Sequence, residues 1–128
     1  MDAPDLPPWL ELTAEPTPGT VVVPGAAARS RGDLFGLLAQ ALDLPEWFGR
    51  NWDALADCLL DSDDAGPLAL RVDDAEQLLA DEPPAQFATL LQVCDDVSSH
   101  GRHPFRLVLR TTDERLPALR RRVAAATS

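Results

Sequence analysis

Positive charge is scarce in this sequence, and all of it is of one kind. The 128 residues hold 11 cations, every one an arginine, against 21 acids, for a formal charge of −10. A chain this acidic repels nucleic acid and anionic membrane, and its long-range field favours basic partners. Thiols are few as well: Cys58 and Cys94 each sit in an apolar helical pattern with no disulfide or zinc framework spacing. Both read as buried free thiols of a reducing cytoplasm. Long apolar runs are missing, since no stretch approaches the roughly 18 to 20 residues of a membrane span. "MDAPDLPPW" lacks the basic and apolar regions of a secretory signal, so the expected location is cytoplasmic. The two histidines, His100 and His103, have no second ligand at usable spacing and read as surface residues.

What is present suffices for one compact domain with a real core, at 45% hydrophobic content over 128 residues. The charge is uneven: residues 1–109 carry 19 acids and 6 arginines (−13), whereas 110–128 carry 2 acids and 5 arginines (+3). Five prolines among residues 1–19 forbid a continuous helix and predict an extended arm, with a short edge strand possible from Trp9 to Thr13. The expected organisation is therefore a proline-rich arm (1–19), a folded domain (20–110) and a basic C-terminal tail or helix (111–128).

Within the domain, "TVVV" from Thr20 reads as a buried strand closed by Pro24 and Gly25. Asp33 is a candidate cap for the apolar-striped "DLFGLLAQAL", with Pro45 just beyond its end. Asn51 is the expected N-cap of "WDALADCLL". "PLALRV" alternates as a strand, Asp73 and Glu76 have capping-box spacing for a short helix near residues 74–80, Pro83 and Pro84 open a longer helix that ends before Gly101, and "FRLVLR" is a further strand. Strands separated by helices pair in parallel through right-handed crossovers. The fold class is α/β: a small three-stranded parallel sheet flanked by helices, in three layers.

At about 100° per residue, Leu55, Cys58 and Leu59 define the buried side of the helix after Asn51, and Asp53, Asp57 and Asp61 stack on the far side. Like charges at this spacing destabilise a helix, and only Asp53 gains from the dipole at the N-terminus. Leu60 projects toward the same side, so the pattern is that of an acidic docking face with an apolar anchor. An ordinary solvated face has the same spacing. "DSDDAG" (61–66) fails as a calcium loop, because Ala65 and Val72 occupy its fifth and twelfth positions. No metal, cofactor or catalytic residue is expected. Trp47 precedes a glycine in a loop and is expected to be exposed, while Phe48 and Trp52 read as core.

"LDLPEWFGRNWDALADCLLD" (42–61) closely resembles the signature of the barstar family, intracellular protein inhibitors of secreted ribonucleases. "LLQVCDDVSSHG" (90–101) is similar to the family's last long helix. The family fold, a parallel three-stranded sheet flanked by helices, agrees with the order read above. The resemblance covers about residues 20–110 and implies a mechanism: loop and helix plug a ribonuclease active site, and carboxylates fill the pocket that holds substrate phosphate. It makes Asp57 the central phosphate mimic, Asp53 its neighbour one turn earlier, and Trp47 the aromatic stacked over the enzyme's catalytic histidine. Gly49 and Asn51 shape the loop, and Asp96 is an outlying acidic contact.

Departures from the family pattern fall at Ala56, where a tryptophan is usual on the inhibitory helix, near Ser62, where the next loop carries an aromatic, and at His100, which replaces a glutamate. Arg50 adds a cation inside the loop. These departures point to a small ribonuclease or toxin domain other than the family's best-known target. The expected protein is a monomeric, non-enzymatic inhibitor or immunity protein. The alternative is an acidic interaction module that retains the fold without inhibiting a ribonuclease; an acid-cluster hydrolase using Asp53, Asp57 and a metal ranks well below both.

Overall fold

The computed structural model describes residues 6–19, 21–44, 49 and 51–127, the side chains of Asp63 and Asp64 excepted. Among the described residues eight strands and α-helices follow one another: β1 (Leu10–Thr13), β2 (Val21–Pro24), α1 (Arg31–Ala41), α2 (Trp52–Asp64), β3 (Leu68–Asp73), α3 (Pro84–His100), β4 (Phe105–Arg110) and α4 (Leu116–Thr127). The sheet has four strands in the order β1-β4-β3-β2, all parallel, instead of three. The additional strand lies at the sheet edge, in the proline-free stretch between Pro8 and Pro16 of the proline-rich segment. One row crosses the whole sheet in register, Leu10, Leu107, Leu70 and Val21, and Leu12, Leu109, Val72 and Val23 form the next.

Those rows face the helices. Leu34 and Leu38 of α1, Leu55 and Leu59 of α2, Leu90, Cys94 and Val97 of α3, and Leu119 and Val123 of α4 join them in a single buried cluster. Full burial of each such side chain stabilises by roughly 1.5 to 3 kcal/mol. The other face of the sheet alternates to Glu11, Arg71, Arg106 and Arg110, with Val108 buried among them. Among the described residues it is extended chain that crosses this face: Arg71 donates to the Thr17 carbonyl (2.8 Å) and Arg110 to the Glu15 carbonyl (3.2 Å). Gly19 has no side chain because a Cβ there would meet Arg71 Cβ at 2.8 Å.

Local chemistry sets the boundaries. The cap of α1 is Ser30, whose hydroxyl accepts from the Asp33 backbone N–H (3.2 Å); Asp33 sits in the first turn rather than at the cap. The short helix expected near 74–80 is a single 3-10 turn, Ala75–Gln77, entered through Asp74 in a left-handed conformation (φ 48°) with no side-chain cap. Arginines on the sheet compete for the expected capping residue, since Asp73 pairs with Arg71 (3.0 Å) and Arg110 (3.6 Å). Pro84 opens α3, where a missing N–H leaves no bond unmade, and the Gly101 N–H closes it on Val97. C-terminal residues 116–127 are helical, and Arg122 of α4 lies over the Phe87 ring at 4.0 Å. Both cysteines are free and buried.

Candidate functional site: the acidic face of the second long helix

Asn51 starts the site. Its Oδ1 accepts from the Ala54 backbone N–H (2.8 Å) and its backbone carbonyl from Leu55 (2.9 Å), which is the N-cap expected from the sequence. The same amide reaches back to the Gly49 carbonyl at 3.4 Å, and a Cβ on Gly49 would stand 3.0 Å from that nitrogen. Gly49 and Asn51 thus form one compact entry to α2. Trp47 and Phe48, like Thr20, Pro45 and Arg50, lie outside the described residues.

Along α2, Leu55, Cys58 and Leu59 are buried, whereas Asp53, Asp57 and Asp61 are exposed one turn apart. Among the described residues none of these three carboxylates has a hydrogen-bond or ion-pair partner. Other acids are engaged: Glu11 with Arg106, Asp73 with Arg71, Glu76 with Arg115, Asp81 with Arg29, and Asp95 with the Trp9 indole. The ridge charge reaches inward too. Burial pushes the Cys58 thiol up, and the negative charges of Asp61 and Asp57 push it further.

Leu60 departs from expectation. It is half-buried and packed against the core cluster rather than standing exposed among the carboxylates. Long helical side chains lean back over the preceding turn, which takes Leu60 toward half-buried Ala56. The exposed side chains of the ridge are therefore Asp53, Asp57 and Asp61, with Leu60 half-buried beside them. Asp96 is exposed on α3, a different helix; its carboxylate accepts from Gln92 (3.2 Å) and its carbonyl from His100 Nδ1 (2.9 Å). The calcium-loop pattern at residues 61–66 is further removed from a loop, since α2 continues through Asp64. Among the described residues no three potential metal ligands cluster, and no helix is long and apolar enough to cross a membrane.

Sequence reasoning missed what holds the start of α2. Half-buried Trp52 donates its indole N–H to Gln86 Oε1 of α3 (2.9 Å) and meets the Phe35 ring of α1 edge-on at a 5.1 Å centroid distance. These partners lie 34 and 17 positions from Trp52, so no local spacing announces them.

Fold and site together define a small parallel α/β domain that presents an exposed acidic helix face, capped and anchored at its N-terminus. The family described as Barstar (barnase inhibitor) matches residues 19–110. The chain belongs to the barstar family, whose members are inhibitors of barnase-type ribonucleases rather than enzymes. Among curated proteins no relative matches. The signature helix lies inside the matched region, and both β1 and α4 lie outside it.

Proposed function

We propose that this protein is an immunity or antitoxin-type inhibitor that acts in the cytoplasm on a small basic ribonuclease by filling its phosphate-binding pocket with carboxylates. The observation that carries the reading is the row Asp53, Asp57 and Asp61, exposed on one face of α2 and without a cation partner among the described residues, inside the family-matched region. An enzyme pocket built for phosphate presents cations that need an anion. Asp57, in the middle of the row, takes the central position, Asp53 and Asp61 flank it, and Gly49 and Asn51 set the approach of the loop. On the resemblance alone, Trp47 is assigned to stack over the enzyme's catalytic histidine and Asp96 to an outlying acidic contact. The free protein acts as a monomer and needs no cofactor.

The test is inhibition of a panel of small basic microbial ribonucleases, barnase among them, by the parent, Asp57→Ala and Asp113→Ala. Both variants remove one exposed charge, and Asp113 lies off the ridge between β4 and α4. Inhibition by the parent is expected, with dissociation accelerated more than about tenfold by Asp57→Ala and little by Asp113→Ala, because truncating one partner of a desolvated pair acts on the off-rate. Equal losses for the two variants would replace pocket filling by generic charge attraction. A folded parent that inhibits no member of the panel would favour the non-inhibitory interaction module.

A further inference from the structure

We propose that Gln86 is a positioning residue for the acidic face, acting through Trp52. The ridge begins at Asp53, one residue after Trp52, the first residue of α2. Trp52 bridges two helices at once, as its ring edge meets Phe35 of α1 and its Nε1–H is accepted by Gln86 Oε1 of α3 at 2.9 Å. Gln86 Oε1 also faces Arg31 Nη1 of α1 at 3.5 Å, so the amide links the openings of α1, α2 and α3. An indole N–H only donates, so the Gln86 oxygen must point toward it.

The directional character of this bond separates it from the rest of the α2 packing. Leu55, Cys58 and Leu59 hold the helix through contacts that depend on buried area and hardly on orientation. They fix which face of α2 is buried, and a directional bond at the helix start sharpens its azimuth beyond what packing alone sets. A hydrogen bond weakens steeply when bent or stretched, and this one sits at the end of the helix where the ridge starts. A rotation of about 20° about α2 moves a carboxylate about 5 to 6 Å from its axis by roughly 2 Å, a large fraction of a hydrogen-bond length. Filling a preformed pocket with Asp53 and Asp57 therefore requires a fixed azimuth, which the Trp52–Gln86 bond supplies. This step rests on the inhibitor reading for its functional meaning, whereas the clamp itself can be measured without it.

The experiment compares Gln86→Leu, which removes the acceptor, Gln86→Glu, which keeps one, Trp52→Phe, which keeps a ring against Phe35 but removes the donor, and the Trp52→Phe/Gln86→Leu double variant. Two quantities are read: amide hydrogen exchange along the chain, and dissociation of a complex with barnase. Gln86→Leu and Trp52→Phe should each speed exchange at residues 54–56 by about five- to tenfold, the weight of one hydrogen bond, with α4 unchanged. Both should accelerate dissociation and leave association, which follows the unaltered ridge charge, near the parental rate. Gln86→Glu should keep parental behaviour, and the double variant should be no worse than either single one. Parental exchange at residues 54–56 in Gln86→Leu, or equal acceleration throughout the chain, would overturn the assignment. If the parent does not bind barnase, dissociation is read with whichever ribonuclease of the panel it inhibits; inhibition of none counts against the inhibitor reading, and the exchange comparison still decides the clamp.

Discussion

Trp9 donates its indole N–H to Asp95 Oδ1 at 3.0 Å across 86 positions of sequence, joining the proline-rich segment to the long helix α3. Trp9 is 5% exposed, and the next residue, Leu10, begins the strand paired with β4. This edge of the sheet lies before the family-matched region, which starts at residue 19. Trp9→Ala is expected to lower stability by about 3 to 5 kcal/mol, the range for removing a buried aromatic. Asp95→Asn, which keeps an acceptor, should lower it by about 1 kcal/mol or less. Denaturant titration measures both; a Trp9→Ala variant as stable as the parent would detach β1 from the cooperative unit.

The cap of α2 gives a second expectation. Asn51→Ala deprives the Ala54 N–H of its acceptor and should cost about 1 kcal/mol, while Asn51→Asp keeps an acceptor and adds favourable charge at the helix N-terminus. Because Asp53 rides on this first turn, the alanine variant should also speed amide exchange there before it affects α3. Exchange that rises uniformly instead would show that α2 does not open separately.

How much of this was legible in the sequence depends on the range of the interaction. Asn51 and Ala54 are three apart, and the apolar period of Leu55, Cys58 and Leu59 is local, so the helix, its cap and its exposed carboxylates were readable. Asp33 precedes an apolar stripe as a cap does, yet Ser30 stands at the better spacing and satisfies the Asp33 N–H. Asp73 has capping-box spacing but does not cap, since cations from within the sheet engage its carboxylate. The pairing of β1 with β4, the passage of residues 14–19 across the polar face and the Trp52–Gln86 bond all depend on tertiary arrangement. Leu60 is more buried than its angular position alone indicates, because that position ignores the backward lean of a long side chain.

Glu76 joins the 3-10 turn to the segment after β4, its carboxylate held by the Thr111 hydroxyl (2.6 Å) and Arg115 (2.8 Å). Burial pushes its carboxyl up, but the bonds from Thr111, its own backbone N–H and Arg115, with the Arg115 charge, more than offset this and hold it below its ordinary value of 4.5. A depressed carboxyl means that the unfolded chain binds the proton more readily than the native one. Its contribution is present above pH 4.5 and disappears as pH falls through the lower native value. The stability difference between the parent and Glu76→Gln should therefore be constant at neutral pH and shrink on acidification below that point. A difference that does not change with pH would remove the linkage.

The thiols report on the core beneath the ridge. Burial pushes Cys94 up to about 12, with Asp95 adding, and burial together with Asp61 and Asp57 raises Cys58. Neither forms much thiolate near about pH 8, so both should react slowly with a disulfide reagent in the native protein and promptly in denaturant. Asp57→Ala should speed the Cys58 reaction and leave Cys94 unchanged, because it removes one of the charges that raise Cys58. Rapid labelling of either thiol in the native protein would contradict its burial.

Encounter with a basic ribonuclease should be steered, because residues 1–109 carry −13 and the exposed ridge concentrates three of those charges on one helix face. Salt shortens the reach of that field from about 30 Å at 0.01 M to about 8 Å at 0.15 M. The association rate should therefore fall steeply over this range, and the dissociation rate, set by contacts already closed to solvent, should change far less. The basic α4 supplies an internal control: neutralising its exposed Arg120 and Arg121 makes the chain more acidic overall without touching α2. If net charge governs encounter, Arg120→Gln/Arg121→Gln should associate faster than the parent at low salt, and Asp53→Asn should associate more slowly. If the placement of the ridge governs it, the α4 variant should stay near the parental rate while Asp53→Asn still slows association. An association rate indifferent to salt in all three proteins would remove steering altogether and leave shape complementarity as the basis of recognition.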